Sequence, residues 1–146
     1  MTTFRGRPIV AGHVRAEARV THTGWNPLAA YREACVRRSR TARSGDPGCP
    51  ELLGQRLDGR ILCLPQAIGS TSGGLVLSTA ASLGIGPAAL LFSRRIDSLA
   101  ASGVILSDVW LGQRIVTVDG LGDAFLAAVV PGSILEVLED GTVLLP

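Results

Sequence analysis

The chain has 146 residues, the length of one domain, and 47% of them are apolar while only 18% are charged. This composition supplies enough apolar surface for a core, which excludes an intrinsically disordered protein. A net charge of +2 and an aromatic content of 4% give no basis for nucleic-acid binding, which depends on clustered basic residues and stacking aromatic side chains.

The first elements predicted along the chain are a β segment and a helix. Residues 7–20 are predicted to form β structure, because apolar and charged residues alternate from Val14 to Val20. Asn26 followed by Pro27 predicts a helix start, in which the asparagine side chain caps the first turn and the proline takes the first helical position. The apolar face of this helix is expected to contain Leu28, Tyr31 and Cys35.

The middle of the chain, residues 61–93, contains no charged residue and is long enough to suggest a membrane span. Proline and glycine residues divide it into pieces that are too short to cross a bilayer. We therefore predict a buried unit with a strand at 60–65, a helix after the loop 68–74, and a second strand at 88–92. The buried face of this helix is expected to consist of Leu75, Val76, Thr79, Ala80 and Leu83.

The last third of the chain is predicted to contain a helix, a strand and a hairpin. Asp97 is expected to cap a short helix over residues 98–102, with Gly103 beginning the next segment. Residues 114–118 are predicted to form a strand. Asp140-Gly141 lies between apolar alternations and predicts the turn of a β-hairpin.

The order of these elements predicts the fold class. β-rich ends flank a central βαβ unit without an internal repeat, so we expect a single α/β domain over residues 1–146. The domain should have three layers, with a β-barrel-like sheet on one side and helices on the other. The crossover of the central unit should be right-handed.

The three cysteines, Cys35, Cys49 and Cys63, do not form a metal-binding pattern. No CxxC or HxxxH spacing occurs, so we expect no metal site held by this chain alone. An odd number of cysteines without a signal peptide predicts reduced thiols in a cytoplasmic protein. The two histidines, His13 and His22, are expected to have structural rather than catalytic roles.

The loop "IGSTSGG" at residues 68–74 is predicted to lie at the carboxyl end of a strand, where open α/β sheets bind ligands. The first N–H groups of the following helix point into such a loop, together with the positive end of the helix dipole. Gly69 and Gly73 leave room for a ligand to approach closely. The loop is therefore predicted to bind an anion or to stabilise developing negative charge.

Four interpretations of this loop differ in what its hydroxyl groups do. The simplest is a Ser/Thr helix cap on a glycine-rich turn. A Walker phosphate loop is excluded because the chain contains no lysine, and a nucleophile elbow because Thr71 is central between Gly69 and Gly73. The fourth is a serine that accepts a proton, which requires donors around its alkoxide. The residues alone leave the first and the fourth interpretations open.

Several segments together resemble a known family. "GRPIVAG", "LDGRILCLP" leading into "GSTSGG", "GPAALLF" and "IDSLAASGVILSD" occur in the order seen in small subunits of aconitase X enzymes. The similarity runs from Gly6 to the C-terminal hairpin. It implies a swivelling β/β/α domain that closes over a larger catalytic subunit. That subunit is expected to carry an iron or iron–sulfur centre, with a small carboxylate substrate bound between the two chains.

The resemblance also implies roles for the residues of the loop. Ser70, the first serine after the glycine, corresponds to the catalytic base of the family. Thr71 and Ser72 are expected to line the substrate site, beside Gly69 and Gly73. These roles come from the resemblance, because composition and spacing do not distinguish the three hydroxyl groups.

The loop before the first helix distinguishes two branches of the family. Phosphomevalonate dehydratase small subunits usually carry Gly-Gly-Val-Asp-Pro there, whereas this chain has "GWNPLAAY", which resembles the bacterial branch that acts on cis-3-hydroxy-L-proline. Asn26 in this loop is expected to cap the helix, a role that needs no other, and contact with substrate is the alternative. The resulting hypothesis is the small subunit of a hydro-lyase that converts cis-3-hydroxy-L-proline to a pyrroline-2-carboxylate. The alternatives are a phosphomevalonate dehydratase small subunit and a non-catalytic anion-binding or regulatory module.

Overall fold

The computed structural model describes all 146 residues. It contains eight strands, which are β1 (Thr2–Arg5), β2 (Arg7–Val10), β3 (Val14–Val20), β4 (Ile61–Leu64), β5 (Ala89–Phe92), β6 (Val116–Asp119), β7 (Ile134–Val137) and β8 (Thr142–Leu145). It also contains four helices, α1 (Pro27–Val36), α2 (Gly73–Ser82), α3 (Ser98–Leu111) and α4 (Asp123–Ala128). None of these helices combines the length and the apolar character that crossing a bilayer requires.

All eight strands form one sheet in the order β1-β8-β7-β3-β4-β5-β6-β2. The four strands β3, β4, β5 and β6 run parallel to one another. All other neighbouring pairs in the sheet are antiparallel. β1 and β2 lie at opposite ends of this order although Gly6 alone separates them in the chain, so the sheet curls into a nearly closed barrel. At the closure the Gly6 N–H donates to the Gly141 carbonyl oxygen at 3.0 Å, and a side chain at Gly6 would overlap the backbone of Asp119.

The central strands β4 and β5 are buried on both faces. Alternate side chains belong to a core of 20 residues that packs against the helices: Leu62, Leu64, Leu90 and Phe92. The intervening side chains belong to a second core of 16 residues inside the barrel: Ile61, Cys63, Ala89 and Leu91. The predicted three-layer α/β architecture is therefore confirmed, and burial on both faces explains why these strands lack polar alternation.

The N-terminal β structure differs from the sequence prediction. β1 was not predicted, and the predicted segment 7–20 divides into two strands that are not neighbours in the sheet, since β2 pairs with β6 while β3 pairs with β4 and β7. The division falls near Gly12, where an added Cβ would lie 2.5 Å from Cγ2 of Val116. The helix start at Pro27 is confirmed, but the buried side chains of α1 are Pro27, Ala30, Tyr31 and Ala34 rather than the expected set with Leu28 and Cys35.

The segment after Asp97 is one helix, and the predicted break at Gly103 is wrong. α3 runs without interruption from Ser98 to Leu111, with Asp97 as its predicted cap. Gly103 is a helix-packing position, because a side chain there would overlap the carbonyl oxygen of Gly74 in α2. Ser78 Oγ reinforces the contact by donating to the Gly103 carbonyl oxygen at 3.0 Å.

This close approach of the two helices also changes which side of α2 is buried. Leu77 is fully buried, whereas Leu75 and Thr79, which were expected on the buried face, are exposed. The reason is that α2 meets α3 through the small surface of Gly74 rather than through large apolar side chains. Helical periodicity therefore identified α2 correctly and its buried face in part, since Ala80 is buried and Val76 and Leu83 pack against the core.

The C-terminal hairpin is confirmed, with β7 and β8 antiparallel and a φ of +87° at Gly141 in the turn. The predicted strand at 114–118 begins two residues later, at Val116. The helix α4 was not predicted. It places Phe125 in the barrel core, where its ring packs edge-on against Phe4 with ring centroids 5.5 Å apart.

A buried carboxylate links the rim of the barrel to the start of α3. Asp119, at the end of β6, is fully buried and accepts hydrogen bonds from Nε and Nη2 of Arg7 at 2.9 and 2.7 Å. It also accepts from the Ile96 N–H at 2.8 Å, just before α3 begins. Burial by itself raises the pKa of Asp119, but these hydrogen bonds and the charge of Arg7 outweigh burial and hold the pKa below its ordinary value.

Gly103→Ala is expected to destabilise the fold, although alanine is intrinsically better than glycine in a helix by about 1 kcal/mol. The added methyl group meets the backbone of α2, so the two helices must move apart, and overpacking of this kind costs about 1–3 kcal/mol. Urea unfolding should show a lower midpoint. Ser102→Ala is the control, because Ser102 is exposed on the same helix. A midpoint for Gly103→Ala at or above that of the wild type would contradict the close contact.

Asp119→Asn is expected to lower the thermal midpoint at neutral pH, because Arg7 loses its charged partner. The pKa of Asp119 is depressed in the folded state, so the unfolded chain takes up a proton first and the stabilisation is lost as the pH falls from about 5 through the depressed pKa. The difference in midpoint between wild type and variant should therefore shrink on going to about pH 3. A difference that stays constant or grows over this range would show that the ionised carboxylate is not its source.

Candidate active site

A pocket of about 130 Å³ opens beyond the carboxyl ends of β3, β4 and β5. This edge of a parallel α/β sheet is the usual position of a ligand site. The connections after the three strands lead into α1, α2 and α3, so three helix N-termini surround the pocket. Its lining comes from these connections and the first helical turns: Pro27, Ala67, Ile68, Gly69, Ser70, Gly73, Asp97, Leu99 and Ala100.

Backbone pairing holds the connection before α1 against the connection before α2. The Trp25 N–H donates to the Gln66 carbonyl oxygen at 2.9 Å, and the Ile68 N–H donates to the Trp25 carbonyl oxygen at 2.8 Å. The parallel alignment of β3 and β4 thus continues to the edge of the pocket. The Trp25 side chain is fully buried and packs edge-on against Tyr31, with ring centroids 6.2 Å apart, which fixes this wall of the pocket.

Two of the three helix N-termini are capped by their own side chains. Asn26 Oδ1 accepts from the Ala29 N–H at 3.2 Å, as predicted for α1. Asp97 Oδ2 accepts from two N–H groups in the first turn of α3 at 3.1 and 3.0 Å. α2 differs, because Ser72 in the cap position makes no side-chain hydrogen bond to its own helix.

The N-terminus of α2 consequently retains unpaired donors. The Gly73 N–H donates to the Ser70 carbonyl oxygen at 3.1 Å, but the N–H groups of Gly74 and Leu75 have no acceptor within the chain. Free N–H groups and the positive end of a helix dipole favour an anion or developing negative charge nearby. This is the environment that the glycine-rich loop was predicted to have.

Ser70 Oγ has two polar neighbours in the same loop. Its Oγ accepts from the Ser72 N–H at 3.2 Å and lies 2.8 Å from Ser72 Oγ. The Ser70 side chain is exposed, and the residue lines the pocket. An N–H and a hydroxyl donor on the same oxygen stabilise the alkoxide, so the geometry suits a serine that accepts a proton.

The structure brings most of the predicted site residues together. Gly69 and Gly73 line the pocket with Ser70, and Ser72 contacts Ser70. Asn26 lies against Gly69, where an added Cβ would be 2.5 Å from Asn26 Nδ2. Gly69 also has a φ of +101°, so both the backbone conformation and the space favour glycine there.

Several residues depart from the sequence expectations. Thr71, Ser72 and Asn26 lie outside the pocket lining, and Thr71 is also exposed and makes no side-chain hydrogen bond within the chain. Asp97 was predicted as a helix cap alone, yet it lines the pocket and is the charged residue of that lining. Asp97 follows β5 just as the glycine-rich loop follows β4. Because β4 and β5 were predicted as the two strands of one βαβ unit, the sequence could have placed Asp97 and this loop at the same edge of the sheet.

The residues of this chain do not fit the iron or iron–sulfur centre that the resemblance implies. No group of three or more His, Cys, Asp or Glu side chains is placed to hold a metal ion. The three cysteines are separate free thiols. Burial raises the pKa of Cys63, which opposes formation of a metal-binding thiolate, and buried Cys49 donates to Thr21 Oγ1.

Comparison with known proteins identifies a family. Residues 3–145 match the model of the aconitase X swivel domain. The phosphomevalonate dehydratase small subunit of Methanopyrus kandleri is 34% identical over 100 residues, which cover 67% of this chain and 73% of that relative. The match thus includes both most of this chain and most of the relative.

Two solved structures have a similar fold. The holo-form of aconitase X from Thermococcus kodakaraensis superposes with a TM-score of 0.83 at 25% identity, covering 100% of this chain and 99% of that chain. A UPF0107 protein solved by NMR has a TM-score of 0.78 at 25% identity, with 99% of each chain covered. With its barrel-like sheet and four helices, and with a family match over nearly its whole length, the chain belongs to the aconitase X swivel domain family.

Proposed function

We propose that this chain, together with a larger aconitase X subunit, dehydrates cis-3-hydroxy-L-proline to a pyrroline-2-carboxylate, with Ser70 as the base. Its family makes it the small subunit of an aconitase X-type dehydratase, and the substrate and the role of Ser70 are the proposal. The main support for the role of Ser70 is its position and its hydrogen-bond partners. Ser70 Oγ lies at a pocket surrounded by helix N-termini, with the Ser72 N–H at 3.2 Å and Ser72 Oγ at 2.8 Å.

The stereochemistry of the substrate suits a base on one side of a closed pocket. In cis-3-hydroxy-L-proline the 3-hydroxyl lies on the same ring face as the carboxylate, so the α-hydrogen lies on the opposite face from the hydroxyl that leaves. An anti elimination needs a base on one face and space for the departing hydroxide on the other. Ser70 supplies the base, and the side that the larger subunit closes receives the hydroxide.

Proton transfer to Ser70 begins the reaction. The Ser70 alkoxide, stabilised by Ser72, takes the α-proton, and the electron pair of the C–H bond forms the double bond between C2 and C3 as the C3–O bond breaks. The N–H groups of Gly74 and Leu75 at the α2 terminus stabilise the substrate carboxylate, on which negative charge increases. The hydroxide takes up a proton and leaves as water, and the exposed Ser70 releases its proton to solvent.

The larger subunit, in this proposal, supplies what this chain lacks. We place the iron or iron–sulfur centre there, since no metal-ligand group exists on this chain. The Methanopyrus kandleri relative is named a small subunit, which supports such a partner for this chain. We place the enzyme in the cytoplasm, because its three cysteines are free thiols.

The pocket lining is compatible with an amino-acid substrate. Its charged residue is Asp97, and the ring ammonium of hydroxyproline is attracted to that carboxylate. The "GWNP" segment, which resembles the branch that acts on cis-3-hydroxy-L-proline, lies close to the pocket, because Asn26 lies against Gly69.

A phosphomevalonate dehydratase small subunit is the second candidate, and the name of the Methanopyrus kandleri relative favours it. A phosphate group would find cations in a separate hollow at the end of β6, which is lined by Arg5, Arg7 and Arg95 and also by Asp119, the ion-pair partner of Arg7. A non-catalytic anion-binding or regulatory module is the third candidate, since it requires no more than the unpaired donors of α2.

Ser70→Ala is expected to leave assembly with the larger subunit intact and to lower kcat on cis-3-hydroxy-L-proline by about 10²–10⁴, the usual loss for a general base. The measurement is pyrroline-2-carboxylate formation by the enzyme reconstituted from both purified subunits. Ser82→Ala is the matched control with unchanged turnover, because Ser82 is an exposed serine at the opposite end of α2. Turnover near the wild-type rate in Ser70→Ala would refute the base.

The same assay with phosphomevalonate separates the three candidates. Turnover of phosphomevalonate alone by the reconstituted wild-type enzyme selects the second candidate. Assembly without turnover of either compound selects the non-catalytic module. The Ser70→Ala comparison is informative with either substrate, since the base is required for both eliminations.

Asn26→Asp is expected to preserve the stability of α1, because aspartate and asparagine cap helices about equally well, and to raise KM for cis-3-hydroxy-L-proline. The added carboxylate lies against Gly69 and repels the carboxylate of the substrate. Thermal unfolding and steady-state kinetics report the two effects separately. Asn26→Ala is the comparison, with an expected loss of about 0.5–2 kcal/mol of stability. An unchanged KM in Asn26→Asp would restrict Asn26 to capping.

A further inference from the structure

The outward face of α3 carries large exposed apolar side chains. Asp108 is the one charged residue among the 14 of this helix. Val109 and Trp110 are 69% and 75% exposed, Leu111 at the C-terminal end is 47% exposed, and three other large side chains are each about 40% exposed. We call five of these residues the α3 stripe: Leu99, Ile105, Leu106, Val109 and Trp110.

The α3 stripe faces away from the core beneath the helices. Leu99, Leu106 and Trp110 are spaced by seven and four residues, and Ile105 and Val109 by four, so the five residues form one broad helix face together with exposed Ser98 and Ser102. The other face contributes Ala100 and Val104 to the core beneath the helices, and Gly103 to the contact with α2. A helix that is apolar on both faces is typical of one enclosed on both sides, and a contiguous exposed apolar surface marks an interaction site.

The α3 stripe is continuous with the rim of the candidate active site. Leu99 belongs to both, because it also lines the pocket. Ile68 lines the same pocket and is half exposed. Leu75 is 70% exposed and directly follows Gly74, whose backbone lies against that of Leu99. A chain that closes the pocket therefore meets an apolar surface that leads along α3.

We propose that the α3 stripe is the docking surface for the larger aconitase X subunit, with Trp110 as its anchor. This inference rests on the proposed function, in which that subunit closes the pocket. Exposed tryptophans commonly dominate the energy of an interface because they bury a large area on binding. The stripe carries no charge that must lose its hydration, so the complementary surface on the larger subunit is apolar.

A second copy of this chain fits the α3 stripe less well than an unlike chain. Self-association would cover the stripe and the adjoining pocket rim, yet the copy brings no group of metal ligands to the pocket. The pocket at the end of the stripe would then be covered, but it would gain no metal ligands. Continuity between the stripe and the pocket therefore favours the same occupant for both.

Val109→Asp tests the proposal, and Val36→Asp is its matched control. Val36 is 75% exposed in the last turn of α1, and Val109 is 69% exposed in the last turn of α3. Both substitutions add the same charge near the negative end of a helix dipole, and α2 separates the two helices. Calorimetric titration with the purified larger subunit should show binding weakened at least tenfold by Val109→Asp and less than twofold by Val36→Asp.

Fluorine NMR provides a second readout that does not depend on the variants folding equally well. The chain has two tryptophans, of which Trp25 is buried and Trp110 is exposed. In the wild-type chain labelled with 5-fluorotryptophan, addition of the unlabelled larger subunit should shift the Trp110 resonance more than that of Trp25. The resonance of Trp110 is assigned by its loss in Trp110→Phe.

Equal binding by the two valine variants, or a Trp110 resonance that does not move in the complex, would overturn the proposal. So would a wild-type dimer in analytical ultracentrifugation that Val109→Asp converts to a monomer, because the occupant would then be a second copy. Failure of the proposed function is distinguishable. It appears as full turnover by Ser70→Ala, or as activity on neither substrate, in a complex that still depends on Val109. A wild-type chain that does not bind the larger subunit contradicts both proposals.

Discussion

The backbone contact between Gly74 in α2 and Gly103 in α3 sets the geometry on which the candidate site depends. A side chain at either position would overlap the backbone of the other helix, and Ser78 Oγ donates to the carbonyl oxygens of both glycines. Because Gly74 lies in the first turn of α2, the contact brings the start of α3 close to the loop that contains Ser70. The pocket is the space between the starts of these two helices and α1. The close approach permitted by the two glycines therefore sets how near two of its walls lie.

The same arrangement leaves one of the three helix termini electrostatically open. Asn26 and Asp97 cap α1 and α3 with their own side chains, and the charge of Asp97 offsets the dipole of its helix. At α2 the hydroxyl of Ser72 lies against Ser70 rather than its own helix, so the donors of that terminus stay free. The potential that favours an anion is therefore concentrated beside Ser70. A conventional serine cap at Ser72 would have occupied one of the free helix donors and removed the hydroxyl partner of Ser70.

Sequence patterns predicted the parts of this structure that depend on neighbours in the chain, and missed those that depend on distant contacts. The caps at Asn26 and Asp97 and the buried strands around the glycine-rich loop follow from local preferences. Gly103 was misinterpreted because glycine weakens an isolated helix, whereas here it permits a contact with a residue 29 positions away. Closure of the barrel by β1 and β2, and the entry of Asp97 into the pocket wall, likewise arise from tertiary packing. The sequence does not distinguish the hydroxyl groups of Thr71 and Ser72, whereas the folded loop places Ser72 beside Ser70.

The candidate site is held in place by contacts within this chain. The barrel closes on itself at Gly6 and Gly141, and both cores lie within the chain, so the frame of the loop does not depend on another subunit. Ser70 and Ser72 are already 2.8 Å apart. What remains uncovered is the pocket mouth and the outward face of α3, which meet at Leu99. The fold of this chain therefore orients the proposed base and its donors, and the entropy needed to orient them is lost during folding.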